Sequence, residues 1–433
     1  MKKDSFIKST LILIIGGFIT KILGMVIKII TTRYIGLEGI SIYMLILPTF
    51  SLFLALSQLS LPTSISKLIS EDKYNNKNIV FSSIPIIIIS NLILILIILL
   101  SGKFIANNLL NDSRCYLPII SICLVLPFEA ISNMLRGYFF GKQKMLPHVI
   151  SHIIEQTIRL ILTIILIPIL LDINIIYAVT FLVLVNMISE FISIIVLLFF
   201  MPKYIVITKD DIKPNKNNIK NILDISIPNT STRLIGNIGY FLEPILLMLA
   251  YKNNSISLEY GIITGYSMPI LLLPGFFTLA ISSSLIPVIS KSYVKKNYRY
   301  VLKKINQGIF LSLIVGVPLT ILLFIFPSFF LRIIYGSSVG SNYLKILSIP
   351  FLFYYIEIPL SACLQAMNKA KEVMYDNLIG ITIKSLSIYL LSLLNINIYS
   401  FIIACSLNII IVTLLHSIHI RKLFKSIIIN SMN

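Results

Sequence analysis

The sequence predicts an all-α integral membrane protein, with about twelve transmembrane helices in two six-helix lobes related by a pseudo-two-fold axis along the membrane normal. Three observations predict it. Of the 433 residues, 57% are hydrophobic and only 12% charged, against roughly 45–50% and 25% in soluble domains. Apolar runs of the roughly 20 residues needed to cross a hydrocarbon core recur along the chain between charged or Asn/Gly-rich breaks. A basic phrase also occurs twice: Pro62-Thr63-Ser64-Ile65-Ser66-Lys67 after the second run and Pro287-Val288-Ile289-Ser290-Lys291 after the eighth. Two runs later each is followed by a second echo, Lys142-Gln143-Lys144 and Lys369-Ala370-Lys371.

Taken in order, the first run, Ile7 to Thr31, is longer than a signal-peptide core and no A-x-A site follows it, so it reads as a retained span. Ile42 to Ser64 is the second, and Val80 to Leu100, two-thirds Ile and Leu, the third. Leu117 to Leu135 ends where Arg136 begins a basic connection. Ile153 to Leu171 and Ile175 to Phe200 are parted by a turn holding Asp172 and Asn174. The second half repeats the count with Ile222 to Ala250, Ile262 to Ile289, Ile305 to Phe330, Leu344 to Ala366, Asn377 to Leu394 and Ile398 to Ile418. Residues 1–203 then form one lobe, 222–433 the other, and 204–221, with Lys209, Lys213, Lys216 and Lys220, a cytoplasmic linker held to the anionic inner leaflet. Each half has six spans and starts on the same side, so the repeats are parallel, with a substrate expected between them.

The surplus of 36 Lys+Arg over 17 Asp+Glu, net +19, would suggest nucleic acid in a soluble chain. Here it follows the connections instead. One side of the membrane carries only Arg33, Lys103, Arg114, Lys252, Arg332 and Lys345, and most other basic residues alternate onto the opposite side with both termini. That side is expected to be cytoplasmic, and no nucleic-acid partner is implied. The connections are too short for a soluble catalytic domain, so no enzyme is expected. Cys115, Cys123, Cys363 and Cys405 show no C-x-x-C pairing, and no metal site is expected.

Ten ionisable residues fall inside spans: Lys21, Lys28, Arg159, Arg233 and Lys384 against Glu129, Glu155, Glu190, Glu243 and Glu357. Each costs roughly 2.5–3.5 kcal/mol at a helix centre, so they must face partners or water rather than lipid. Gly17, Lys21, Gly24 and Lys28 recur every three or four residues, stacking two ammonium groups on one face of span one. Span seven has a comparable stripe, Asn229, Arg233, Asn237, Tyr240 and Glu243. Span five carries His152, Glu155, Gln156, Arg159 and Thr163 on one ridge. Glu155 and Arg159 could equally be an intrahelical pair that only lowers the cost of burial. Lys21, Lys28, Arg159, Arg233, Asn237, Glu155 and Glu243 are the expected cavity residues, a cationic set suited to an anionic ligand. Glu129, Glu190, Glu357 and Lys384 stand alone and read as structural. His148/His152 and His416/His419 have helical spacing with no Cys or carboxylate to complete a metal site, and read as interfacial. Gly265, Pro269, Pro274 and Gly275 interrupt span eight and Pro48 span two, as hinges or as static kinks.

Arg136-Gly137-Tyr138-Phe139-Phe140-Gly141-Lys142-Gln143, Pro147 and Glu155-Gln156-Thr157-Ile158-Arg159 resemble the signature of the stage V sporulation protein B-like polysaccharide transporters. Phe18 to Gly24, Tyr34 to Gly39, Pro62 to Glu71, and Ile227 to Pro244 resemble the same family in the same order. The resemblance implies the multidrug/oligosaccharidyl-lipid/polysaccharide exporter superfamily, with MATE- and MurJ-like members: two six-helix lobes around a cationic cavity, working by alternating access. Relatives usually have arginine where Lys21 and Lys28 stand, and a lysine lacks the bidentate fork. Larger relatives form a lipid-tail groove with two further C-terminal helices, which is not expected here.

The expected function is a flippase for a lipid-linked saccharide with an anionic headgroup, a peptidoglycan precursor for cell wall or spore cortex, in the cytoplasmic membrane of a bacterium. Membrane lipids are the other expected partner, a monomer the expected state, and no cofactor is expected. Coupling to the membrane potential, sodium or protons stays open. The rival within the superfamily is a cation-coupled drug or metabolite exporter using Glu129, Glu155, Glu243 or Glu357. A membrane glycosyltransferase would need a large loop with acidic metal ligands, and a non-transporting scaffold would leave the buried charges without purpose.

Overall fold

The computed structural model describes residues 3–71, 75–201, 208–251 and 254–430, and they are nearly all helical. The helices are α1 (Lys3–Gln58), α2 (Leu61–Ser70), α3 (Asn76–Phe104), α4 (Tyr116–Gly141), α5 (Met145–Ile173), α6 (Ile175–Phe199), α7 (Lys209–Ile212) and α8 (Lys216–Tyr251). They continue with α9 (Asn254–Ile262), α10 (Met268–Leu272), α11 (Gly275–Val294), α12 (Tyr298–Ile325), α13 (Pro327–Tyr335), α14 (Ser341–Ala366), α15 (Ala370–Ser392) and α16 (Tyr399–Asn430). Among the described residues, ten helical stretches are long and apolar enough to cross a membrane. The first of them holds spans one and two, joined without a loop where the helix kinks at Gly36 (φ 62°, ψ −163°), a backbone that glycine adopts without strain. Span eleven is α15, whose charged residues keep it out of an apolar count. The expected all-α fold of twelve spans is thereby accounted for.

Three boundaries differ from the sequence reading. The phrase from Pro62 is no loop. Leu59 and Ser60 turn through positive φ, and α2 then lays Leu61, Ile65, Leu68 and Ile69 into the core, with Pro62 in its first turn where a missing N–H costs nothing. Span four does not stop at Leu135, because α4 continues to Gly141. Its Gly137 and Gly141 lie against α2: a Cβ at Gly137 would come within 2.9 Å of Pro62 Cα, and one at Gly141 within 3.0 Å of the Ser66 carbonyl. Span eight is in pieces, with a π turn over Ile263–Ser267 between α9 and α10 and a turn before α11. Gly265 sits in the π turn, Pro269 in the first turn of α10, and Pro274 and Gly275 at the start of α11.

Two compact units divide the chain, Met1–Phe241 and Leu242–Asn433, so the border falls inside α8 rather than at the 204–221 segment. The reason is a polar and apolar stripe on the first turns of α8. Ile222 is buried in the cluster of Leu61, Ile65, Ile79, Ala130 and Phe139, Asn218 Nδ2 donates to Asn78 Oδ1 at 2.8 Å, and Ser226 Oγ donates to Ser64 Oγ at 2.8 Å. In the second unit Leu285, Ile289, Ile305, Leu360, Leu364 and Phe424 belong to a separate core cluster.

The described part of the linker is clasped rather than loose. Asp211 accepts from the Thr208 backbone at 2.9 Å and from Asn75 Nδ2 at 2.6 Å, with Lys77 Nζ at 3.6 Å. Asn78 Nδ2 donates to the carbonyls of Asp211 and Lys213. The Thr208 backbone bond, then those from the Asn75 and Thr208 side chains, hold the Asp211 carboxyl down to about 2. A folded-state value below the ordinary value near 4 means that the clasp is at full strength above about pH 4 and fades as pH falls toward 2. Replacing Asp211 with Ala is expected to speed tryptic cleavage at Lys209 severalfold at neutral pH, read on a time-course gel. An unchanged rate would show that the clasp does not order this segment.

Candidate functional site

The first unit builds a buried ionic cluster from three neighbouring helices. Inward faces of α4, α5 and α6 meet there because each carries polar residues at intervals of three or four: Glu129, Asn133 and Arg136; His152, Glu155, Gln156 and Arg159; Asn186, Ser189, Glu190 and Ser193. Arg136 and Glu155 are 6% and 2% exposed, and Glu190 2%. Charges so far from water persist only if each is paired and hydrogen-bonded. Arg136 Nη2 donates to Glu155 Oε2 at 2.7 Å, Glu190 Oε2 at 3.2 Å and Ser193 Oγ at 3.0 Å. Arg159 Nη2 donates to Glu155 Oε1 at 2.8 Å, and His152 Nδ1 lies 2.8 Å from Glu155 Oε2. Glu129 has neutral partners, accepting from Gln58 Nε2 at 2.8 Å and Asn133 Nδ2 at 2.9 Å.

Two cavities open on this cluster. One of about 430 Å³ is lined by Gln58, Glu129, Asn133, Arg136, His152, Glu155, Arg159 and Glu190 among others. A smaller one of about 170 Å³ is lined by Gly24, Lys28, Thr31, Thr32, Tyr43 and Thr163. Gln156, Arg159 and Asn186 border both. Arg159 is therefore the guanidinium shared between them, and its Nε has no hydrogen-bond partner among the described residues. A buried N–H donor without an acceptor is a standing cost that a ligand oxygen would relieve.

The expected cavity residues are placed as follows. Lys28, Glu155 and Arg159 line these cavities. The span-one stripe divides: Gly24 and Lys28 face the smaller cavity, whereas Lys21 is exposed. Arg233 is exposed and donates through Nη2 to Gln58 Oε1 at 3.3 Å, and Asn237 Oδ1 accepts from Ser51 Oγ at 2.8 Å. Glu243 lies in the second unit, where Lys384 Nζ donates to it at 2.5 Å. Glu155 and Arg159 do form the intrahelical pair.

Several residues that read as isolated are not. Glu190 shares Arg136 with Glu155, Glu129 is held by two amides, and Lys384 is the partner of Glu243. His419 Nδ1 lies 2.9 Å from Asp376 Oδ2 and His416 Nε2 3.7 Å from it, so a carboxylate does stand beside that pair. Likewise His152 is seated on Glu155. Arg136, which the end of an apolar run assigns to a cytoplasmic connection, is the centre of the cluster. The spacing Glu129, Asn133, Arg136 on one face was the signal that could have found it.

The polysaccharide biosynthesis protein family matches residues 6–293, and the MatE family matches residues 263–390. The chain belongs to the polysaccharide biosynthesis protein family. Stage V sporulation protein B of Bacillus subtilis is 35% identical over 98% of this chain and 85% of its own length. Lipid II flippase MurJ of the same organism is 24% identical over 88% of this chain and 76% of its length. An inward-facing multidrug resistance MATE family transporter of the MOP superfamily superposes with a TM-score of 0.76 at 15% identity, over 94% of this chain and 96% of that one. The fold is that of the MOP superfamily, and the chain is a multi-pass membrane protein.

Proposed function

We propose that this protein flips a lipid-linked saccharide with an anionic headgroup, a peptidoglycan precursor, across a bacterial cytoplasmic membrane, with both termini cytoplasmic. The observation that carries the reading is Arg159: shared by two cavities of the first unit, held by Glu155 through one nitrogen, with Nε left over as a donor. The name of lipid II flippase MurJ supports the substrate class, and that of stage V sporulation protein B the sporulation setting. In this reading Lys28 and Arg159 hold phosphate oxygens, Lys21, Arg233 and Asn237 receive the headgroup, Glu155 orients Arg159, and Gly265, Pro269, Pro274 and Gly275 flex. An interior-negative potential assists outward movement of an anion by about 2.3 kcal/mol per charge per 100 mV. The protein works as a monomer and needs no cofactor.

Reconstituted into liposomes with a fluorescent lipid-linked saccharide, the Lys28→Gln/Arg159→Gln variant is expected to lose at least about tenfold in flipping rate, since a charge-assisted hydrogen bond is worth about 1.5–3 kcal/mol. Full translocation by that variant would end the proposal. A second reading, a cation-coupled exporter, is favoured by Glu129, whose hydrogen-bond partners Gln58 and Asn133 are neutral. Its signature would be transport that collapses with the sodium or proton gradient and with Glu129→Gln, while tolerating Arg159→Gln.

A further inference from the structure

The second unit has a groove that the proposed flipping cycle does not use. It lies between α12, α14 and α16 and has a volume of about 610 Å³, within the roughly 300–1,000 Å³ of ordinary ligand pockets. Its walls are apolar, formed by Ile305, Ile309, Leu360, Ile420 and Phe424. Its charged residues are Arg421 and Lys425, exposed and one helical turn apart on α16. Among the described residues no acidic side chain lines the groove, and neither cation is in an ion pair. Like charges at that spacing repel, and an anion placed between them would turn that repulsion into attraction. The neighbouring cavity, bordered by Tyr293, Lys369, Glu372 and Lys422, differs because Lys369 is neutralised by Glu372 at 2.8 Å. Both groove cations stand at the end of the last span, on the side where the chain concentrates Lys and Arg.

We propose that this groove binds an anionic glycerophospholipid from the adjoining leaflet, with its phosphate on Arg421 and Lys425 and an acyl chain against Ile305, Leu360 and Phe424. A basic pocket between transmembrane helices at the interface is the arrangement that retains anionic headgroups. A zwitterionic lipid would bring its own ammonium to a mouth that offers it no carboxylate. The proposal stands apart from the flipping reading, because site and test both lie in the second unit.

The test is thermal unfolding of the full chain in detergent, titrated with phosphatidylglycerol or with phosphatidylcholine of the same acyl chains. Phosphatidylglycerol should raise the unfolding temperature of the native protein with a saturable dose dependence, and phosphatidylcholine should not. Arg421→Gln/Lys425→Gln should unfold at the native temperature without lipid and lose most of the phosphatidylglycerol shift. The control Lys295→Gln/Lys296→Gln should keep it. Ile309→Trp, which fills the groove and leaves the charges, should weaken the shift at low lipid. An equal shift with phosphatidylcholine, or an undiminished shift in the Arg421/Lys425 variant, would overturn the proposal. So would an equal shift in the native protein from glycerol phosphate alone, which carries the anion without a chain.

Discussion

Arg136→Ala is expected to destabilise the protein by about 3–5 kcal/mol, the cost of leaving a buried carboxylate without its counter-charge. Glu155 would keep Arg159 and His152, so Glu190, 2% exposed and held by Arg136, is the group left stranded. That asymmetry makes the outcome specific. Removing the stranded acid together with the base, in Arg136→Met/Glu190→Gln, should recover a large part of the loss, whereas Arg136→Met/Glu155→Gln should recover little. The contacts of Arg136 also converge on a single nitrogen, Nη2, while Nε has no partner. It acts here as a point charge rather than a fork, so Arg136→Lys should be milder than Arg136→Ala. Denaturant or thermal unfolding of the purified variants in detergent measures all four. A single Arg136→Ala variant within 1 kcal/mol of the native protein would mean that water reaches the cluster and the charges are not buried in solution.

The contrast between Arg136 and Arg159 shows how much of this site a sequence can disclose. Arg159 was legible because its partner Glu155 is on the same helix, four residues away, and helical periodicity brings the two side chains together. Arg136 and Glu190 are on different helices, and periodicity gives the face a residue occupies without giving the helix that faces it. The same holds for Lys384, which stands alone in the sequence and is the partner of Glu243, a residue of the span-seven stripe. Span ends failed for a related reason. An arginine after an apolar run reads as the start of a water-exposed loop, yet α4 runs on through Arg136 because carboxylates and a cavity receive it inside the unit. What was fully legible was the number and rough extent of the spans, because a bilayer demands about 20 apolar residues whatever the tertiary contacts. Gly36 and α2 were not, since one compensates a missing loop with a single left-handed residue and the other is a short amphipathic helix that the Pro62 phrase resembles a loop enough to hide.

The second large effect lies in the other unit, at the pair of Glu243 on α8 and Lys384 on α15. Glu243 is 8% exposed, Lys384 Nζ meets its Oε1 at 2.5 Å, and the ammonium also stands 5.4 Å from the centre of the Phe401 ring. Either single truncation, Glu243→Ala or Lys384→Ala, should cost about 3–5 kcal/mol, because each leaves one charge in an apolar surround. Replacing both with residues of similar length, Glu243→Gln/Lys384→Met, should cost far less than the two single losses together, since no charge is left behind. A double-mutant cycle completed with the single variants Glu243→Gln and Lys384→Met should return a coupling of about 0.5–3 kcal/mol. The same variants separate structure from transport. A cation-coupled exporter that relied on Glu243 would lose transport in the stable double variant, because the carboxylate is gone. A flippase whose ligand is held by Lys28 and Arg159 should keep most of its rate there, because Glu243 is already spoken for by a resident ammonium. Unfolding curves and liposome flipping measured on the same double variant decide between these outcomes, and a stable variant that no longer flips would move Glu243 from scaffold to mechanism.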